Sequence, residues 1–226
     1  MVKFNKVTKK FGEIVALEGA SFEIEPGEFV FITGPSGAGK TTIVRLILRE
    51  YLPTTGEIKV GEYDLAEMKK KDIPKLRRNI GVVFQDFKLL TDRTVWENVA
   101  LALRVLGKGE EEINKEIPKI LKLVGLEERA NLFPSQLAGG ELQRAGLARA
   151  VIGQPDIVIA DEPTGNLDLA TAWQIIRLLQ KVNKMGKTVI MATHNFEIVN
   201  SMKERVIELD KGKLVSDKKK GKYKVR

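Results

Sequence analysis

One octapeptide constrains this chain more than any other feature. Gly34-Pro35-Ser36-Gly37-Ala38-Gly39-Lys40-Thr41 fits G-x-x-x-x-G-K-[ST], the spacing that wraps backbone N–H groups around phosphate. It lies between the apolar run Phe29–Thr33 and a helical pattern over Thr41–Glu50. A strand feeding a glycine-rich loop and then a helix is the context this motif needs, because the helix N-terminus adds a partial positive charge. Glycines 34, 37 and 39 let the N–H groups turn inward without a Cβ in the way. Pro35, Ser36 and Ala38 complete the cradle. Lys40 is placed to reach β- and γ-phosphates, Thr41 to offer a hydroxyl to Mg²⁺, and Thr42 to contact the α-phosphate.

The rest of the pattern is compatible with such a loop. Apolar and β-branched runs bounded by turn residues predict strands at Val2–Val7, Ala20–Ile24, Phe29–Thr33, Glu57–Val60, Ile80–Phe84, Ile157–Ala160, Thr188–Ala192, Arg205–Leu209 and Lys213–Ser216. The runs at 29–32 and 157–160 are apolar on consecutive positions, which suits strands covered on both faces in a parallel sheet. Helical periodicity appears at Thr41–Glu50, Val95–Leu106, Glu110–Val124, Glu141–Ile152, Ala170–Lys184 and Asn195–Met202. Alternation of strand and helix around the loop argues α/β. The stretch from about Asp86 to Gly140 is largely helical and reads as an inserted subdomain.

Further polar residues follow predicted strands. Asp161 comes after four apolar residues, at the carboxyl end of a strand, where open α/β sheets bind ligands. It is the expected Mg²⁺ partner through a bound water; Mg²⁺ keeps several waters and takes few carboxylates. Glu162 is placed to polarise an attacking water as general base. Gln85 follows Ile80–Phe84, where a neutral amide can touch the metal or the γ-phosphate water. His194, the only histidine, follows Thr188–Ala192; alone, it reads as easily as a structural residue. Leu137-Ala138-Gly139-Gly140-Glu141 precedes a strong helix and makes a second anion-binding N-terminus.

Composition narrows the class. There is no cysteine, which removes disulfides and thiolate metal sites. No apolar run approaches the ~20 residues that cross a bilayer, and residues 1–6 lack the apolar stretch of a signal peptide, so a cytoplasmic location is expected. Net charge is +8, but residues 211–226 hold eight Lys/Arg against Asp217 alone, leaving the body nearly neutral. A basic tail of this kind is open to three readings: a solvated terminus, contact with anionic lipid, or contact with nucleic acid, the last being the least expected.

The series Gly34–Thr41, Gln85, Leu137–Glu141, Asp161-Glu162 and His194, in this order, resembles the nucleotide-binding subunits of ATP-binding-cassette (ABC) proteins, from Phe4 to about Ser216. The resemblance implies an α/β P-loop NTPase, RecA-like core with an inserted helical subdomain and N-terminal antiparallel β elements. Its single ABC domain would span 1–216, with the core at about 1–85 and 145–216, the helical part at about 86–144, and a basic tail at 217–226. It implies ATP and Mg²⁺ as ligands and hydrolysis to ADP and phosphate. It assigns His194 to the γ-phosphate beside Glu162, Phe11 to stacking on adenine, and Ala138, Gly139, Gly140 and Glu141 to the ATP of a second subunit in an ATP-dependent homodimer. The family carries Leu-Ser-Gly-Gly-Gln there; Ala138 lacks the serine hydroxyl, and Glu141 replaces glutamine.

Leu76–Gly81, Gln85–Val99 and Asp161–Asp168 are most similar to the ATPase of a bacterial cell-division complex. That resemblance implies an integral membrane partner docked near Asp86–Val99, activation of peptidoglycan hydrolases outside, and a peripheral position on the cytoplasmic face of the membrane. Lipoprotein-releasing and macrolide-exporting ATPases share Thr164–Asp168 and remain an alternative, as do a soluble non-transport ABC ATPase and a P-loop kinase or GTPase.

Overall fold

The computed structural model describes residues 1–221 and 223. In chain order the elements are β1 (Val2–Phe11), β2 (Ile14–Ile24), β3 (Phe29–Thr33), α1 (Lys40–Ile47), β4 (Thr55–Val60), β5 (Tyr63–Asp64), α2 (Ile73–Arg78), β6 (Ile80–Phe84), α3 (Val95–Val105), α4 (Glu110–Val124), α5 (Gly139–Val151), β7 (Ile157–Asp161), α6 (Leu169–Lys184), β8 (Thr188–Thr193), α7 (Phe196–Met202), β9 (Arg205–Asp210) and β10 (Lys213–Lys218). They form two sheets. One is antiparallel, in the order β2-β1-β4-β5; the other runs β10-β9-β3-β8-β7-β6. In the second, β9, β3, β8, β7 and β6 are all parallel, and β10 pairs antiparallel with β9.

The consecutive apolar positions of the central strands are explained by this arrangement. Side chains alternate across a strand, so β3 sends Phe29 and Phe31 into the core under the helices. It sends Val30 and Ile32 into the core shared with α1 and the antiparallel sheet. β7 and β8 divide in the same way, Val158, Ala160, Val189 and Met191 to one side and Ile157, Ile159, Ile190 and Ala192 to the other. Each buried aliphatic side chain contributes about 1.5–3 kcal/mol, and a strand with both faces covered has no position left for a polar residue until it ends.

Several expectations change in detail. α5 runs to Val151 and so crosses the division expected at 144, its Gln143 amide donating to the Phe84 carbonyl at 3.2 Å. Phe11 is the last residue of β1 rather than lying beyond a strand. β1 is irregular between Phe4 and Lys10, and that irregularity hides its period. α2 was not expected; six residues with a proline and three basic side chains give too short a period to see. The boundary expected after residue 216 falls inside β10. Arg205 holds Asp217 there with two hydrogen bonds, 2.9 and 2.8 Å, while also reaching Glu28 at 2.7 Å. Of the expected basic tail, Lys222, Lys224 and Arg226 lie outside the described residues.

The segment between β6 and α3 owes its shape to one fully buried side chain. Asn98 accepts from the Leu90 N–H at 2.8 Å and donates to the carbonyls of Leu90, Arg93 and Thr94 at 2.9–3.1 Å. Thr94 and Glu97 form a reciprocal capping box that starts α3. Replacing Asn98 by Leu leaves these backbone groups without their partner, at about 1–3 kcal/mol for a buried group left unsatisfied. Chemical denaturation is expected to show that loss, and hydrogen exchange at the Leu90 amide is expected to speed up.

Candidate functional site

Register brings the chemistry to one edge. Phe84 pairs with Asp161, Asp161 with Ala192, and Ala192 with Ile32 across four parallel strands. The residues just past this row are therefore Gln85, Glu162, Thr193-His194 and Thr33-Gly34. They meet where the strand order reverses at β3, flanked by β8 and β9, the position at which open α/β sheets take ligands. A cleft of about 910 Å³ opens there, lined among others by Lys40, Thr41, Gln85, Glu162 and His194.

The loop itself is tightly determined. Gly34 has φ 147°, and a Cβ on it would stand 2.3 Å from the Leu209 carbonyl oxygen of β9, so no larger residue fits. Gly39 caps α1, and no acidic residue occupies that helix's first turn. Pro35, Ser36, Gly37, Gly39 and Thr42 line the cleft, while Ala38 is buried behind it. Lys40 is also buried, and its ammonium donates to the carbonyls of Gly34 and Pro35 at 2.8 and 3.1 Å.

Glu162 stands between two nitrogen groups. Its Oε1 is 2.9 Å from Nδ1 of His194 and 3.5 Å from Nζ of Lys40. Its Oε2 accepts from the His194 backbone N–H at 3.4 Å. Glu162 holds φ at 48°, a left-handed conformation that is uncommon outside glycine and that recurs at functional positions. The Glu162 N–H is satisfied by the Ala192 carbonyl at 2.9 Å, so the turn is anchored to the next strand. Gln85 donates from Nε2 to Asn166 at 3.3 Å, and Asn166 donates back to the Gln85 carbonyl at 3.4 Å.

Asp161 accepts from the Thr41 hydroxyl at 3.3 Å. Burial raises its pKa; the Thr41 bond opposes that and the charge of Glu162 adds to it. A hydroxyl and a carboxylate that is costly to charge are a fit for a hard cation, and an ion as sparing of protein ligands as Mg²⁺ suits this pair. Among the described residues no cluster of three His, Asp or Glu forms a chelating site.

The remaining expected residues lie elsewhere. Ala138 caps α5 without a side-chain acceptor, and Glu141 accepts from the Ala138 N–H and from Arg129, both at 2.9 Å. Those two bonds hold the Glu141 carboxyl below its ordinary range. None of residues 137–141 lines the cleft of its own chain. Phe11 is 40% exposed and also not among the cleft-lining residues; it meets Tyr51 edge to face at 5.0 Å, with the Lys9 ammonium 4.8 Å from its ring centroid.

Sequence reasoning passed over Tyr51, Arg149 and Tyr223. Arg149 donates to the carbonyls of Lys88 and Phe87, at 2.6 and 3.0 Å, in a turn where both residues have positive φ. Tyr223 lines the cleft from the far end of the chain. Nothing local marks these residues, since each acts on a segment distant in sequence.

Asp161→Asn is expected to separate stability from activity. Because burial raises this pKa, stability falls as pH climbs from the ordinary aspartate range to the raised value, a cost absent below that range. Asn carries no such cost. The variant is expected to melt above the parent at neutral pH, to lose that advantage in acid, and to lose Mg²⁺-dependent turnover. Thermal melts at several pH values check the sign.

Comparison with known proteins gives one consistent answer. The family profile described as ABC transporter matches residues 17–165. The cell division ATP-binding protein FtsE of Bacillus subtilis is 51% identical over 224 residues, spanning 99% of this chain and 98% of that protein. The FtsE of Mycobacterium tuberculosis is 46% identical over 99% of this chain and 98% of that protein, and the FtsE of Escherichia coli K12 44% identical over 95% and 97%. A dimeric ATP-binding cassette solved in a post-hydrolysis state with ADP and Pi superposes with a TM-score of 0.89 at 39% identity, covering 99% of this chain and all of that one.

Proposed function

The chain belongs to the ABC transporter family of ATP-binding subunits, and from that premise we propose that it powers an FtsE-type cell-division complex by hydrolysing ATP to ADP and phosphate. The observation that carries the reading is the meeting of Lys40, Thr41, Gln85, Glu162 and His194 around one cleft, in a chain whose relatives named FtsE match it at 44–51% identity. Those relatives weigh against the exporter, nucleic-acid and kinase alternatives.

In this reading the N–H groups of the loop and the start of α1 hold the phosphates, and Phe11 offers its exposed ring to adenine. Phosphate oxygens compete with Glu162 for Lys40, which lies 3.5 Å from the carboxylate. Thr41 and Asp161 would hold Mg²⁺, which would supply neutralisation of phosphate charge. Glu162 takes the proton of the attacking water. His194 keeps Nδ1 on Glu162 and has Nε2 for the γ-phosphate. Gln85 orients the water or the metal and is tied through Asn166 to the turn after Glu162.

Residues 137–141 stand apart from their own cleft, so they serve the ATP of a second copy, and two copies share two sites. An integral membrane protein resembling FtsX docks near Asp86–Val99, and closure of the pair moves it to activate peptidoglycan hydrolases. Val95 and Val99 belong to the core, which leaves Asp86–Thr94, with half-exposed Phe87 and exposed Leu90, as the contact. No described helix is long and apolar enough to cross a membrane, in keeping with a peripheral subunit on the cytoplasmic face. The lysines of 211–226 are offered to anionic lipid at about 1 kcal/mol each.

Glu162→Gln is expected to retain ATP binding, to hydrolyse it at least about 100-fold more slowly, and to capture an FtsX-like integral protein from solubilised membranes when loaded with Mg–ATP. Recovery of a lipoprotein transporter instead would overturn the cell-division reading. A hydroxyl bonded to phosphate is worth about 1.5–3 kcal/mol. Ala138→Ser is therefore expected to strengthen ATP-driven dimerisation and to raise turnover, read by light scattering and phosphate release; equal or lower turnover would refute the shared site.

A further inference from the structure

The cleft has a wall that the reaction described above does not use. It is made by the last described residue of the chain. Tyr223 is 4% exposed, belongs to the same core cluster as Ile198, Val199 and Val206, and lines the cleft together with Glu162, His194 and Phe196. Its backbone is held in both directions by one side chain. The Asn200 amide donates to the Tyr223 carbonyl at 3.0 Å, and the Tyr223 N–H donates to the Asn200 amide oxygen at 2.8 Å.

The route to this position is specified as well. The Gly221 N–H donates to the Glu204 carbonyl at 3.1 Å, and a Cβ on Gly221 would stand 2.6 Å from Cβ of Val206. Only glycine lets the chain pass so close to β9. Gly221 against β9 and the reciprocated amide pair with Asn200 of α7 make this a built contact.

We propose that Tyr223 is a positioning residue of the hydrolytic centre, tied to Asn200 so that it holds α7, and the His194 that precedes it, against the wall of the phosphate cleft. The need for such a tie follows from how little else holds this region. α7 has seven residues and buries only Ile198 and Val199. The His194 side chain is 65% exposed; its Nδ1 meets Oε1 of Glu162 and its backbone N–H donates to Oε2 of the same residue. Asn195 caps α7 by accepting from the Ile198 N–H at 3.1 Å, so a shift of α7 is passed directly to the adjoining histidine. The buried Tyr223 joins the core cluster that holds Ile198 and Val199, and Asn200 anchors its backbone. Burial raises the phenol pKa, and the charges of Glu208 and Glu162 add to it.

This inference rests on reading Glu162 and His194 as the hydrolytic pair. Glu162→Gln measured alongside tests that reading separately, because full hydrolysis by that variant would remove the pair and not the tie. The experiment is steady-state Mg–ATP hydrolysis by the full chain with a parallel ATP-binding titration, for Tyr223→Ala, Asn200→Ala and Tyr223→Phe. A misplaced catalytic group costs turnover rather than binding, so kcat is expected to fall about tenfold or more in Tyr223→Ala. KM and ATP affinity are expected to stay within about twofold. Asn200→Ala is expected to move kcat in the same direction, and Tyr223→Phe, which keeps the ring and the backbone tie, to restore it. Unchanged kcat in Tyr223→Ala would overturn the proposal, and so would a parallel loss of ATP affinity, which reports general damage. Should Tyr223→Ala fail to fold, Asn200→Ala decides, since it removes the tie from a half-buried helix position: an unchanged kcat there rejects the proposal.

Discussion

Everything at the cleft depends on parallel strands ending level with one another. A sheet buried on both faces forces its polar residues beyond the strand ends, and the pairing of Phe84, Asp161, Ala192 and Ile32 puts those ends in one row. The residues that follow then have no choice but to share a small volume with the start of α1. A one-residue slip would turn the Val30, Ile32 set and the Phe29, Phe31 set into each other's cores. The two hydrophobic layers that stabilise the fold therefore also hold the site in register.

Two adjacent carboxylates, Asp161 and Glu162, organise the charge at the strand ends. Asp161 is costly to ionise because it is half buried beside Glu162. Glu162 is held by His194 and Lys40 in a left-handed turn. Lys40 spends its donors on two loop carbonyls and on Glu162. The family's nucleotide offers phosphate oxygens to Lys40 in place of the Glu162 carboxylate.

Positions distant in the chain are joined to this centre by few, identifiable contacts. α5, which begins with the Ala138–Glu141 segment, grips the residues around Gln85 through Gln143 and Arg149. Those bonds tie the helix to the turn over Phe87 and Lys88. At the other side of the cleft, β9 lies against Gly34 and Tyr223 is bonded to Asn200 of α7.

The amino-acid sequence by itself determined the strand runs at Phe29–Thr33 and Ile80–Phe84, the loop Gly34–Thr41, and the residues just past strand ends. These are local signals: a period, a spacing, a polar residue closing an apolar run. It left Tyr223 and Arg149 unread and saw a loose basic tail where β10 continues to Lys218. His194 by itself read as easily as a structural residue; the family resemblance put it beside Glu162, and the 2.9 Å contact comes from the fold. The rest was decided only by tertiary structure, because it depends on contacts such as Asn200 with Tyr223 and Arg205 with Asp217. The partners in these contacts are brought together by sheet order and packing, and neither residue of a pair carries a mark of the other in its own neighbourhood of the chain.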